Sequence, residues 1–332
     1  MAEPVAAPVP AAAAANKNKY AIIGGSGVHV SGAVEFSWGT PFGSVTGLSF
    51  LDEGQNVIFV NRHLCTNIGT DGHATYAPPH EVNFHAMLWA LKDLGVQGVC
   101  AIGSTGTLRP ESVPVGSIVM PDDFLCTCPT AVTYWPHEKM GLFNPDPTKG
   151  QIGRIHFAPA IVEDTSWVSF RGWVRDALCE QLDPLNQILA ADASSSAAEC
   201  IPFAKGQSPE SWPALSVEPP PAVPEMVYVQ TTGPRFETRA EVQSYVSRGH
   251  IVGMTCATEW TLASELMLPY ALVVAVDNCC NGLSVHPGGA LQEYLDHKVA
   301  ISSITSSMVQ HLCSKLVERA EMDCLRRTCA GE

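Results

Sequence analysis

The 332-residue chain is 46% apolar, which suffices for one large domain or two ordinary ones. Its formal charge of −14 argues against nucleic acid as a partner, because a phosphate backbone attracts basic surfaces. No apolar run approaches the roughly 18–20 residues a membrane-crossing helix requires, so no membrane partner is expected either.

The chain opens on MAEPVAAPVPAAAAA, rich in Ala and Pro and without the basic start or Leu-rich centre of a secretory leader. Residues 1–17 therefore read as a disordered tail, and the protein as cytoplasmic. A first strand is expected at YAII from Tyr20, ended by Gly24-Gly25-Ser26-Gly27. NVIFVNRH reads as a second strand finishing on Arg62 and His63, and the loop after it closes on Pro78-Pro79-His80. From Glu81 to Leu94 apolar residues recur at helical spacing; Gly95 stops the helix, and GVCAIGS forms the next strand into Ser104-Thr105-Gly106. SIVMPDDFL follows as one further strand.

MVYVQTTGPRFET is expected as a strand leading into a helix near Thr238, HIVGMT as a short strand and TEWTLASELM as a helix. PYALVVAVDNCCNG is a strand ending in polar residues, and a long helix, broken or not, runs from Leu291 to about Ala330. This alternation predicts a single α/β domain over residues 18–330, with a central mixed, largely parallel sheet flanked by helices. Residues about 190–224 carry a serine run and Pro219-Pro220-Pro221 without apolar periodicity. They read as a flexible insertion, since the alternation resumes after them.

Twelve cysteines raise the question of disulfides. Cys100, Cys256, Cys279 and Cys280 fall inside apolar runs of a chain too long to need staples, which points to free, buried thiols in a reducing compartment. Cys126 and Cys128 are separated by one residue, with no second pair at zinc spacing, so no metal is expected.

Polar clusters recur where strands end, which is where open α/β sheets build ligand sites. The glycines of GGSG let backbone N–H groups approach an anion and Ser26 adds a hydroxyl, although an ordinary tight turn explains the run equally well. The run is neither a dinucleotide fingerprint nor a nucleotide P-loop, because Val30 stands where the last glycine would and no Gly-Lys-Ser/Thr follows. Arg62-His63 alone is compatible with a solvated strand end.

Taken together, GGSG, RH, GHATYAPPHEVNF, STGTL, GPRFETRAE and GMTCATE occur in the order and spacing of one family. The chain resembles the trimeric nucleoside phosphorylases, nearest the methylthioadenosine phosphorylase branch, from about Tyr20 to Asn281. The resemblance implies phosphorolysis of purine nucleosides by a homotrimer, with inorganic phosphate as co-substrate and no cofactor or metal. It implies a phosphate site made of Ser26, Arg62, His63, Ser104 and Thr255, in which guanidinium, imidazole and hydroxyls neutralise and orient the anion. Met254 would lie beneath the ribose, Phe236 against the purine, and Glu237 and Asn278 at its hydrogen-bonding edge. His156 in RIHFAP would be lent to a neighbouring subunit, or is an ordinary loop histidine. Arg62, His63 and Asn278 would carry the catalysis: phosphate held under the anomeric carbon meets the positive charge that grows on the sugar, and Asn278 polarises the departing base.

The chain departs from the adenine-preferring branch. That branch carries aspartate where Asn278 stands and a small hydroxyl residue where Glu237 stands; Glu and Asn there resemble the 6-oxopurine enzymes. A carboxylate accepts from a protonated N1, which hypoxanthine and guanine have and adenine lacks. A one-residue gap would instead bring Asp277 into the aspartate's place, although the ungapped count from Thr255 is preferred. His297 is either the histidine that the 5′-hydroxyl branch offers to the sugar or, as preferred, a residue on the exposed face of the last helix, and Gly103 replaces a threonine common in relatives. Whether the sugar carries a methylthio or hydroxyl group at C5′ stays open, as do a phosphate-independent nucleosidase and a nucleoside-binding protein without catalysis.

Overall fold

In the computed structural model the described residues are 19–25, 28, 30, 34–65, 75–140, 150, 152–153, 165–180 and 226–330. The expected tail and the 190–224 insertion lie outside them, as do Ser26 and His156.

Ten strands form one mixed sheet. They are β1 (Lys19–Gly24), β2 (Val34–Thr40), β3 (Gly43–Phe50), β4 (Val57–Asn61), β5 (Val96–Thr107), β6 (Ile118–Val119), β7 (Asp123–Cys126), β8 (Val227–Gln230), β9 (Ile251–Gly253) and β10 (Tyr270–Cys279). The main path runs β2-β3-β4-β1-β5-β9-β8-β7, and β10 pairs with β5 off that path. The central pairs β4-β1, β1-β5 and β5-β10 are parallel, as are β9-β8 and β8-β7. The helices are α1 (Phe84–Asp93), α2 (Thr165–Cys179), α3 (Arg239–Tyr245), α4 (Cys256–Glu265) and α5 (Gly289–Ala330).

The central strands are apolar on both faces because helices cover both. Successive side chains of a strand alternate sides. Accordingly Ala21 and Ile23 of β1, Val99 and Ala101 of β5, and Leu272 and Val274 of β10 join the core shared with α1 and α4. Their neighbours Tyr20, Ile22, Cys100, Ile102, Ala271 and Val273 join a second core with α2 and α5. Among the described residues no helix is long and apolar enough to cross a membrane.

Several elements differ from expectation, each for a local reason. Asn83 accepts from the Ala86 N–H and caps α1, so that helix starts at Phe84 rather than Glu81, behind a 3-10 turn at Pro79–Glu81. SIVMPDDFL is two strands, β6 and β7, separated at Pro121, which has no N–H to donate to a ladder. The helix expected at TEWTLASELM begins earlier, at Cys256, and the last helix is unbroken from Gly289. The β2-β3 hairpin and α2 were not expected at all. The helix near Thr238 starts where expected: Thr238 and Glu241 form a reciprocal capping box.

Candidate active site

The carboxyl ends of β1, β4, β5, β9 and β10 and the loop after β8 surround one cavity of about 610 Å³. Arg62, His63, Ser104, Phe236, Glu237, Met254, Thr255, Asp277 and Asn278 all border it. Every candidate residue within the described part of the chain is therefore brought to one place, and Gly25 represents the GGSG turn there.

Arg62 follows directly on β4, where its N–H donates to the Gly24 carbonyl at 3.0 Å and fixes the start of the turn. Its guanidinium is buried and forms a fork on Glu259 of α4, Nε to Oε1 and Nη2 to Oε2 at 3.0 Å. Tyr270 donates its hydroxyl to the same Oε2 at 2.8 Å. Nη1 is left beside Gly25, where an added Cβ would come within 3.2 Å of it. The arginine thus presents one edge to the cavity while a carboxylate holds the other.

His63 differs from the role expected of it. Its Nδ1 lies 2.8 Å from the Ala77 carbonyl, which can only accept, so that nitrogen carries the hydrogen. Burial, and then the neighbouring Arg62 charge, push the imidazole pKa down to about 4. At pH 7 this makes the ring neutral, and its Nε2 is an acceptor, suited to the hydroxyl of a monohydrogen phosphate. Tyr76 stacks on it, ring centroids 4.9 Å apart and 16° from parallel.

Thr255 sits at the N-terminus of α4, and its side chain makes no capping bond. The Tyr228 hydroxyl does that work, accepting from the Thr255 N–H at 3.4 Å and the Cys256 N–H at 3.3 Å. Gln230 Oε1 accepts from the Thr258 N–H at 3.0 Å. The Thr255 hydroxyl, 3.5 Å from the Cys256 sulfur, thus borders the cavity without capping the helix, at the positive end of its dipole.

On the opposite side, Glu237 is buried and its Oε1 accepts from the Thr231 hydroxyl at 2.6 Å. Asn281 donates to the Glu237 carbonyl at 2.8 Å, tying this loop to the end of β10. The loop turns at Gly233, whose φ of +63° and 2.7 Å approach of a would-be Cβ to the Met254 sulfur both require glycine. Phe236 meets Tyr294 of α5 edge-on at 6.0 Å. The Asn278 amide donates to the Cys279 carbonyl at 2.8 Å, which orients its oxygen the other way.

Asp277 and Asn278 both border the cavity, although neighbours in a strand face opposite ways. The β10-β5 register slips between Val276 and Asn278, and this bulge turns both inward. Burial pushes the Asp277 pKa up to about 7, against the hydrogen bond from Ser104, and Glu293 raises it further.

His297 is not exposed as expected. It is buried, with Nδ1 3.0 Å from the Asp277 carbonyl, and does not border the cavity. Sequence reasoning passed over Glu259, Thr231, Tyr228 and Thr105. Glu259 had a signal, closing the GMTCATE motif four residues after Thr255. Thr105 also had one, lying in the Ser104-Thr105-Gly106 cluster, and only its role was missed: its hydroxyl is buried and has no protein partner, yet the residue borders the cavity.

A sequence profile described as the phosphorylase superfamily matches residues 19–299. The chain is 31% identical to S-methyl-5′-thioadenosine phosphorylase of Hyperthermus butylicus, over 78% of this chain and 75% of that one. It is 29% identical to 6-oxopurine nucleoside phosphorylase of Pyrococcus furiosus, over 80% and 81% respectively. Its fold is similar to the crystal structure of a methylthioadenosine phosphorylase from an antarctic soil metagenomic library, with a TM-score of 0.55, 23% identity, and coverage of 90% of this chain and 88% of that one.

Proposed function

The chain belongs to the phosphorylase superfamily, and we propose that it cleaves purine nucleosides with inorganic phosphate at the cavity between Arg62 and Glu237. The reaction is pentosyl transfer: the sugar passes from the base to phosphate, as in the phosphorolysis for which its relatives are named. The observation that carries the reading is the convergence of two chemically different ends on one cavity. One end has the free edge of Arg62, the acceptor nitrogen of His63, the hydroxyls of Ser104 and Thr255 and a helix N-terminus, a set that suits a hydrogen phosphate. The other has Phe236, Glu237 and Asn278, a set that suits a purine.

Glu237 supports a 6-oxopurine base. Thr231 occupies one carboxylate oxygen and leaves Oε2 to accept from N1–H. As C1′ separates from the base, positive charge on the sugar is met by phosphate beneath it. The negative charge on the base is met by the polar edge of Asn278 and by Asp277, whose carboxyl holds a proton up to neutral pH and can donate it. The residues described need no metal or cofactor for this chemistry. Ala290, Leu291 and Tyr294 of α5 border the cavity and favour an apolar C5′ substituent such as methylthio.

The subunits are proposed to form a homotrimer. Leu291, Leu295 and Val299 make an exposed apolar stripe at four-residue spacing on α5, beside the cavity mouth, which suits a neighbouring protomer. A cytoplasmic setting suits the free thiols.

Base release from inosine, methylthioinosine, methylthioadenosine and adenosine, each with and without phosphate, tests this reading. Release from the two 6-oxopurine nucleosides that requires phosphate is expected. Release independent of phosphate would mean a hydrolase, and binding without release a nucleoside receptor.

A further inference from the structure

Outside the cavity, one cluster of nucleophilic side chains stands apart. Most described cysteines are buried or isolated, but Cys126 is exposed and Cys128 half-buried, and both are free thiols at the end of β7. Residues two apart at a strand end share a side, which sets the two thiols next to one another, and Cys126 is the neighbour that shifts the Cys128 thiol most. The turn is pinned from behind. The N–H and hydroxyl of Thr127 both donate to the Gln230 carbonyl, at 2.9 and 2.7 Å. Gln230 Nε2 donates to the Cys128 sulfur at 3.5 Å, and Thr232 also lowers its pKa.

We propose that Cys126 and Cys128 are an oxidation site that a peroxide closes into a disulfide, and that the closure loosens the base side of the cavity through Gln230 and Thr232. The donors directed at the Cys128 sulfur, Cys126 first among them, hold its thiol pKa down to about 6, so that sulfur is largely the nucleophilic thiolate at neutral pH. Cys126 is held in the protonated form by the same hydrogen bond.

The Cys128 thiolate attacks one peroxide oxygen; the O–O bond breaks, a sulfenic acid forms, and the other oxygen leaves with a proton as water. The Cys126 sulfur then attacks the Cys128 sulfur. The S–S bond forms, the S–O bond breaks, and hydroxide leaves with the Cys126 proton as a second water. Two thiols are oxidised to one disulfide while one peroxide is reduced to two waters.

The connection to the cavity is short. Gln230 is buried, and the Nε2 that reaches Cys128 also donates to the Thr258 hydroxyl at 2.6 Å in the first turn of α4. Gln230 and Thr232 flank Thr231, whose hydroxyl holds Glu237. A disulfide takes away the thiolate that accepts from both flanking side chains.

The test treats the full chain with limiting hydrogen peroxide at pH 7, alkylates the remaining thiols and maps the peptides by mass. The expected result is a peptide containing Cys126 and Cys128 that has lost two hydrogens and takes up no alkyl group, while the exposed Cys179 and Cys324 are still fully alkylated. In Cys126→Ser the reaction stops at a sulfenic acid on Cys128 that dimedone traps. Oxidation of Cys179 or Cys324 ahead of the pair, or no dimedone adduct in Cys126→Ser, overturns the site. The coupling rests on the nucleoside reading and has its own readout: in the oxidised protein the KM for nucleoside rises roughly fivefold, as for one lost hydrogen bond, and dithiothreitol reverses the effect. An unchanged nucleoside KM in a protein shown by mass to be oxidised overturns the coupling and leaves the disulfide standing. Absence of phosphorolysis even in the reduced protein defeats the nucleoside reading instead.

Discussion

Asp277 and Asn278 are consecutive in β10, and both border the cavity because the strand slips its register against β5 between Val276 and Asn278. A regular strand would have buried one of them in the sheet-helix core. The bulge therefore gives this side of the cavity an amide and a carboxyl side by side.

The Asp277 carboxyl and the His63 imidazole oppose one another in their effect on stability. Burial raises Asp277 from 3.8 to about 7, so the native state binds the extra proton and stability is lost as pH rises through that window. Burial and Arg62 lower His63 from 6.5 to about 4, so the unfolded chain binds the extra proton and stability is lost as pH falls. Between pH 4 and 6.5 each has a limiting slope of about 1.4 kcal/mol per pH unit, and the two nearly cancel. Urea unfolding at half-unit steps should show stability climbing with pH in Asp277→Asn and falling with pH in His63→Gln. Parallel profiles in the two variants would contradict both assignments.

Thr231 is expected to set base affinity without touching phosphate. Its hydroxyl is the hydrogen-bond partner of the Glu237 carboxylate within the buried part of the loop. Thr231→Val keeps the shape, and a hydrogen bond to a charged group is worth about 1.5–3 kcal/mol. The KM for inosine should rise by roughly tenfold or more, with the phosphate KM unchanged. Steady-state kinetics with each substrate varied in turn decides this; equal increases in both KM values would mean general loosening.

The residues that were legible in the sequence are those whose chemistry conflicts with their setting. Arg62, His63, Ser104 and Thr255 stand at or beside the ends of apolar strands, where a polar cluster needs a reason. Glu259 is legible only as the close of the GMTCATE motif, because a carboxylate in the first turn of a helix is already favoured by the dipole; only the fold brings it to Arg62, 197 positions away. The β2-β3 hairpin is illegible because Gly39, Gly43 and Gly47 interrupt its apolar alternation, and pairing with β4 supplies what local pattern lacks. His297 reads as a polar position on a helix, but that face lies against the end of β10. Strand-end chemistry is local and survives in one dimension; partnerships across the sheet do not.

Arg62 itself predicts a selective loss. Its planar fork lets Glu259 hold Nε and Nη2 while Nη1 stays beside Gly25, an arrangement a lysine ammonium cannot reproduce. In Arg62→Lys the single charge stays with Glu259 and Tyr270, and the phosphate end loses its donor. The phosphate KM should rise roughly 10- to 100-fold, the value of one charge-assisted hydrogen bond, with a smaller change for nucleoside. A nucleoside KM that rises as much as the phosphate KM would remove Arg62 from the phosphate end.

Thr105 offers a test in which stability and function move in opposite directions. Its hydroxyl is buried against the cavity with no protein partner, and such an orphan costs about 1–3 kcal/mol in the empty protein. Thr105→Val preserves the branched shape on β5 and removes the unsatisfied group. The empty variant should therefore unfold at a higher temperature than the parent, by an amount equivalent to roughly 1 kcal/mol. If the hydroxyl is retained to meet a bound molecule, the same variant should gain less stability from saturating inosine and phosphate than the parent does. Thermal unfolding with and without the two ligands measures both effects. A variant destabilised when empty would show that the hydroxyl has a partner within the fold, and an unchanged ligand increment would show that it meets neither substrate.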